Sequence, residues 1–240
     1  MRALLVSAVL AAQAASAIDV ARLAIAPPTV VCDLDPSVVK GEIRRLSWSN
    51  DGAYLHIQTR DGDALRDFIV SIAGREVSVA FGEPEWGARY WAVKSSLAAP
   101  GDPALKIDVL EDHQRTRPAP FNNGFGPNGG QTVDPRNPVD TFAIEVKLKL
   151  LGEEIGYFFN DVAYGGLTFG WGPTASGALA FVDDKGRVTL LDRAKHKRVV
   201  PDAKDAALPA WSPDGTRIAF VQKTARKQRR LMMAALSSGS

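Results

Sequence analysis

Cysteine is almost absent. Cys32 is the only one in 240 residues, so no intrachain disulfide can form. Histidine is scarce too: His56, His113 and His196 are scattered, with no pair at metal-ligand spacing and no second thiol to complete a set. No Gly-x-Ser-x-Gly elbow marks a hydrolase nucleophile. Neither sign of charge dominates, with 29 Lys+Arg against 27 Asp+Glu and a net charge of +2. That balance gives no whole-molecule field for nucleic acid or anionic lipid. After the first residues, no apolar run approaches the ~20 residues of a membrane-spanning helix. These absences argue against a disulfide scaffold, a Cys/His metal domain, a nucleic-acid binder and a transmembrane protein, and no cofactor is expected.

The start of the chain reads as an address rather than as fold. Met1-Arg2 is a short basic opening, Ala3–Ala12 is apolar, and Ala15-Ser16-Ala17 fits the small-x-small cleavage pattern. The expectation is a signal peptide over 1–17, a mature chain from Ile18, and a periplasmic or secreted location. Cys32 lies in the apolar run Thr29–Leu34, far from that cleavage point and without lipobox context, and reads as a small core residue.

What the chain does contain is a repeated hairpin. Leu208–Gln222 reads LPAWSPDGTRIAFVQ, two strand-like runs joined by Ser212-Pro213-Asp214-Gly215. Ser at the first turn position, Pro with φ pre-set, Asp next and Gly last fit a type I turn with a left-handed final residue. Leu46–Ile57, LSWSNDGAYLHI, repeats the unit with Asn50 in place of the proline. Phe169–Phe181, FGWGPTASGALAF, repeats it with one more turn residue. Unit one reads as strands near 43–49, 53–59, 65–72 and 75–81. Unit two is expected to open on a strand at Arg89–Val93 and continue at Ala104–Leu110, with Pro100-Gly101-Asp102-Pro103 as its turn.

Arg115–Val139 then breaks the pattern with a Pro-, Gly- and Asn-rich insertion. Strict alternation resumes at Thr141–Leu150, followed by a return strand at Glu154–Asn160. Units three and four run from Leu167 and Leu208. Trp48, Trp91, Trp171 and Trp211 fall at one place in the four units, at intervals of 43, 80 and 40 residues, the long one containing the insertion. A period of ~40–45 residues is that of a four-stranded propeller blade. Unit four lacks its last strand, which Val20–Leu34 would supply, closing the ring and covering an edge.

The wording of Trp211–Gly215, and less closely of Trp48–Gly52 and Trp171–Gly177, resembles the TolB-type β-propeller repeat. The resemblance implies an all-β fold, a small propeller of about four four-stranded blades over 18–240. It also makes an assembly of the bacterial cell envelope the natural setting. Function is read more coarsely, because propellers serve unrelated tasks.

The turn residues Asp51 and Asp214 read as turn chemistry rather than metal ligands; Asp61-Gly62-Asp63 with Asp67 comes nearest to a calcium loop. One tryptophan per blade reads as a packing layer. Two stretches are candidate docking sites for a protein partner. The first is the hairpin Lys223–Arg230, with Lys223, Arg226, Lys227, Arg229 and Arg230, which without a partner is a solvated turn. The second is the insertion, with Phe121 and Phe125 as anchors, which otherwise reads as a disordered loop. The leading expectation is a non-enzymatic binding or scaffold protein holding an envelope partner. The alternative is an enzyme or enzyme accessory acting on peptide or carbohydrate in the central channel, favoured if Asp61, Asp63, Asp108, Glu111 or Asp161 gather at one channel mouth.

Overall fold

The computed structural model describes residues 17–115, 142–159, 169–225 and 228–239. The first segment after a 3-10 turn at Val20–Arg22 forms two short strands, β1 (Leu23–Ile25) and β2 (Thr29–Leu34), separated by Pro27-Pro28. Proline lacks the N–H that a ladder needs, so the break falls between them. Sheet one follows as β3 (Glu42–Trp48), β4 (Tyr54–Asp61), β5 (Ala64–Ser71) and β6 (Glu76–Ala80), a four-stranded antiparallel meander close to the expected boundaries.

The expected strand at Arg89–Val93 is not formed. Those residues lie in a helix, α1 (Glu85–Lys94). Pro84 precedes it, Glu85 stands in the first turn, Lys94 in the last, and Glu85 pairs with Arg89 one turn on. Its inward residues, Gly87, Tyr90, Trp91 and Lys94, are spaced three and four apart. That is a helical period concealed because two of the inward residues are glycine and lysine. Trp91 therefore does not share the position of the other three tryptophans.

Sheet two begins only after the helix, with the two-residue β7 (Ala98–Ala99), the Pro100–Gly101 turn, and β8 (Asp102–Arg115). It is completed by β9 (Phe142–Leu150) and β10 (Glu153–Phe159). The insertion read from the sequence falls between β8 and β9 and, apart from Arg115, lies outside the described residues. Sheet three contains β11 (Phe169–Trp171), β12 (Leu179–Val182), β13 (Val188–Leu191) and β14 (Lys197–Val199). Sheet four contains β15 (Ala206–Trp211), β16 (Arg217–Ala225) and β17 (Gln228–Ser238).

The free edge of β17 is filled from the other end of the chain. β2 pairs with its first half (Leu34 opposite Arg229, Cys32 opposite Leu231) and β1 with its last residues (Leu23 opposite Ser238). All four sheets are antiparallel, and α1 is the one α-helix among the described residues.

Alternation along the strands drives three apolar seams. Leu46, Trp48, Ile57 and Phe68 of sheet one meet Leu208, Ala210 and Val221 of sheet four. Trp211, Ile218 and Phe220 of sheet four meet Ala180, Val188 and Leu190 of sheet three. Phe169, Trp171 and Phe181 of sheet three meet Ile107, Leu148 and Ile155 of sheet two. Among the described residues no such cluster joins sheets one and two. Cys32 is half-buried against the first seam, and burial next to Asp33 pushes its thiol up to about 11.

Candidate functional site

The repeated turns position the inner strands. At both close copies the serine does three things. Ser49 donates its hydroxyl to Asp51 (2.6 Å), accepts Tyr54 N–H (2.9 Å), and its carbonyl accepts Gly52 N–H (3.0 Å). Ser212 makes the matching bonds with Asp214, Arg217 and Gly215. Gly52 and Gly215 have φ of +68° and +73°, the left-handed conformation the turn demands. The Ser49 hydroxyl and the Ala53 N–H hold the Asp51 carboxyl below its usual range. Burial works against ionisation of Asp214, but the Ser212 hydroxyl and Thr216 N–H outweigh it and lower that carboxyl as well. Both aspartates are thus occupied as turn acceptors.

Each of these turns leaves a fully buried tryptophan at the end of the strand before it, and the indoles reach from sheet to sheet. Trp48 donates to the Ala210 carbonyl of β15 (2.9 Å), and Trp171 donates to Ser96, on the approach to β7 (2.6 Å). Trp211 has no acceptor for its indole N–H. Sheet two has no tryptophan at this place. Lys94 stands at the C-terminal end of α1.

The Lys94 ammonium lies where three sheets converge. It donates to the carbonyls of Leu46 on β3 (2.9 Å) and Pro209 on β15 (3.1 Å). A Cβ on Gly170 of β11 would stand 3.6 Å from Nζ and 2.5 Å from the Pro209 oxygen, so only glycine admits this approach. Trp91 offers its ring face 4.8 Å away. Lys94 is 1 % exposed, and burial without a carboxylate partner pushes its ammonium down to about 7. Tyr90, one turn earlier, donates its hydroxyl to the Trp211 carbonyl, and burial raises its pKa well above the usual range.

Under the first turn of α1 lies a polar face of sheet one. His56 is fully buried, with Nε2 donating to Asp67 (2.9 Å), whose same oxygen accepts from Gln58 (3.0 Å). This arrangement leaves His56 Nδ1 without a partner. A Cβ on Gly87 would stand 2.7 Å from that nitrogen, and Trp86 meets the imidazole edge-on at 6.0 Å. Ser47, directly across the β3–β4 ladder from His56, is also buried with its hydroxyl unpartnered. Alternation along β4 puts His56 and Gln58 on one face, and α1 covers that face over His56.

The other sequence candidates are dispersed. Phe121, Phe125, Arg226 and Lys227 lie outside the described residues. Lys223 is exposed on β16, Arg229 donates to the Gly41 carbonyl (2.8 Å), and Arg230 pairs with Asp33 (2.7 Å). Lys223 and Arg229 line an open groove of about 550 Å³ between sheets one and four, with Glu42, Asp205 and Leu208. A groove of about 810 Å³ between sheets two and three is lined by Glu154, Phe181, Asp183, Arg187 and Lys197. Asp61 and Asp63 pair with Arg66 and Arg60, whereas Asp67 bonds His56. Asp108 sits mid-strand on β8 of sheet two, and the side chains of Glu111 and Asp161 lie outside the described residues.

Asp19, Asp192 and His196 bring ligand-type atoms within 4.8 Å of one another. Those atoms are already engaged. Asp192 accepts Val20 N–H (2.9 Å) and the backbone and imidazole N–H groups of His196 (2.9 and 3.0 Å), while Asp19 accepts Ala21 N–H (3.0 Å). The group is a clip holding the N-terminal segment on sheet three.

No protein-family model and no curated protein matches the chain. Among the solved structures that match, TolB from Acinetobacter baumannii aligns at 13 % identity with a TM-score of 0.25 over 84 % of this chain. The chain spans 45 % of that structure's length.

Proposed function

We propose that this protein is a small four-bladed propeller, closed by its N-terminal strands, that binds a protein partner in the bacterial cell envelope without catalysing a reaction. The observation carrying this reading is the filled hub. Lys94 and α1 occupy the point where β3, β11 and β15 converge, the place a channel ligand would need. Of the carboxylates whose gathering would favour an enzyme, Asp61 and Asp63 of sheet one pair with arginines and Asp108 is on sheet two, while the side chains of Glu111 and Asp161 lie outside the described residues. Binding capacity then rests with the rim, including the groove beside Lys223 and Arg229 and the 115–139 insertion with Phe121 and Phe125. A periplasmic or secreted location follows from the leader pattern of residues 1–17.

The test is chemical crosslinking of tagged protein in its native envelope, followed by mass spectrometry and repeated with residues 115–139 deleted. A stoichiometric partner that is lost on deletion, with unchanged melting, supports docking through the insertion. A partner retained on deletion and crosslinked through Lys223 moves the site to the groove. Absence of any stoichiometric partner overturns the scaffold reading.

A further inference from the structure

Helix α1 is docked in an unusual manner. Its inward residues are a glycine, aromatic side chains and a lysine, with no aliphatic side chain among them, while Val93 on the same helix is 48 % exposed. Docking leaves polar groups unserved. The His56 Nδ1 under Gly87 and the hydroxyl of Ser47, across the ladder from His56, are buried without partners. A buried unpaired polar group opposes the state that buries it. The seat of Lys94 offers the carbonyls of Leu46 and Pro209 as acceptors, and under the first turn of the helix lie the Asp67 carboxylate and His56 Nδ1. Carbonyl acceptors in a dry seat suit a primary amine, which donates N–H bonds to them.

We propose that α1 is a displaceable plug, and that the acceptor-lined hub it vacates receives a lysine side chain from a protein partner, its amino group taking the place Lys94 fills in the closed state. This rests on the protein-binding reading above and names the chemistry of the partner. The bound helix itself shows the form that fits: a helical turn with a small residue against His56 and a lysine seven positions later.

Leaving the hub returns Lys94 to water and takes up a proton, because its ammonium titrates near 7 when docked and at an ordinary value when free. The titratable groups facing α1 are Tyr90 on the helix with Asp214 acting on it, Arg45 of β3 (stacked on Trp91 and paired with Glu83), and His56 of β4 with its partner Asp67 of β5. β11 and β15 contain none. Between pH 7.5 and 9 the opening equilibrium therefore falls by about 20-fold.

The first measurement is native-state hydrogen exchange of residues 85–94 against the core of β16, at pH 7.5 and 9 and corrected for intrinsic rates. Opening of α1 ahead of β16, with the pH dependence abolished in Lys94→Met, supports the plug. Exchange of α1 only together with β16, or an unchanged slope in Lys94→Met, overturns it. The second measurement uses Gly87→Ala, which crowds His56 and releases the helix, and Tyr90→Phe as a milder opener. The probe is a labelled synthetic peptide of residues 83–96, with Lys94 or with norleucine in its place. Binding to either opened variant, weakened at least ~10-fold by norleucine, supports the lysine site. Equal binding of the two peptides, or none, overturns it. Failure here leaves the partner search independent, since that search reads a stoichiometric complex and not the hub.

Discussion

The seam between sheets three and four and the seat of α1 on sheets one and four perform the same task by different chemistry. The first is closed by Trp211, Ile218 and Phe220 against Ala180, Val188 and Leu190, all buried. Such contact needs no orientation beyond shape and is insensitive to pH. In the second, α1 carries a lysine, a tyrosine hydroxyl and a glycine onto main-chain carbonyls and a histidine. That closure is directional, leaves polar atoms unpaired, and changes with protonation. One seam holds the fold together; the other is set to be adjustable.

Substitutions should separate the two. Phe220→Ala empties the centre of the apolar seam and is expected to cost about 3–5 kcal/mol in urea unfolding, with little change between pH 7.5 and 9.5. A loss under 1 kcal/mol would show that this seam is not the stronger.

Lys94 provides the contrast in pH. Its docked pKa lies below the unfolded value, so stability is lowest below about 7 and rises as pH climbs toward the free lysine value. Wild type should therefore gain roughly 2–3 kcal/mol on Lys94→Met between pH 7.5 and 9.5, as read by paired denaturation curves. Parallel pH profiles would remove the distinction between the seams.

Trp48→Phe keeps the apolar packing and deletes the bond to Ala210. About 1 kcal/mol should be lost, independent of pH. Ser212→Ala removes the acceptor of Arg217 N–H and the donor to Asp214. Its expected loss is about 1 kcal/mol or slightly less, since Asp214 is partly exposed.

The hairpin turns were legible because Ser-Pro-Asp-Gly encodes its own backbone: serine, aspartate and a left-handed glycine close the bond set locally. The strands of sheet one and the completion of sheet four by Thr29–Leu34 were legible for a related reason, since alternation and an unfilled edge are both countable. Helix α1 was not. Its Trp91 stood at the repeat interval, and Gly87 and Lys94 do not look like core residues until three carbonyl-bearing strands are seen around them. The hub depends on partners 48 and 115 residues away from Lys94, and no local pattern records such distances. The basic hairpin shows a similar limit. Its sequence gives five like charges, whereas the fold turns Arg229 inward to Gly41 and Arg230 to Asp33.

Completion of sheet four by β1 and β2 carries a consequence for how the chain assembles. Arg230 and Asp33, which meet in that sheet, are 197 residues apart in sequence. The meander of sheet one and the β16–β17 hairpin can form from neighbouring residues soon after they are available, but this last ladder waits for both extremes of the chain. Non-local pairing of that span is the slow part of folding. Until it happens, β17 presents an open row of amides and carbonyls to any other strand within reach. The interval before that ladder zips is therefore when the protein is most exposed to aggregation, and the speed with which residues 23–34 find β17 sets how long it lasts.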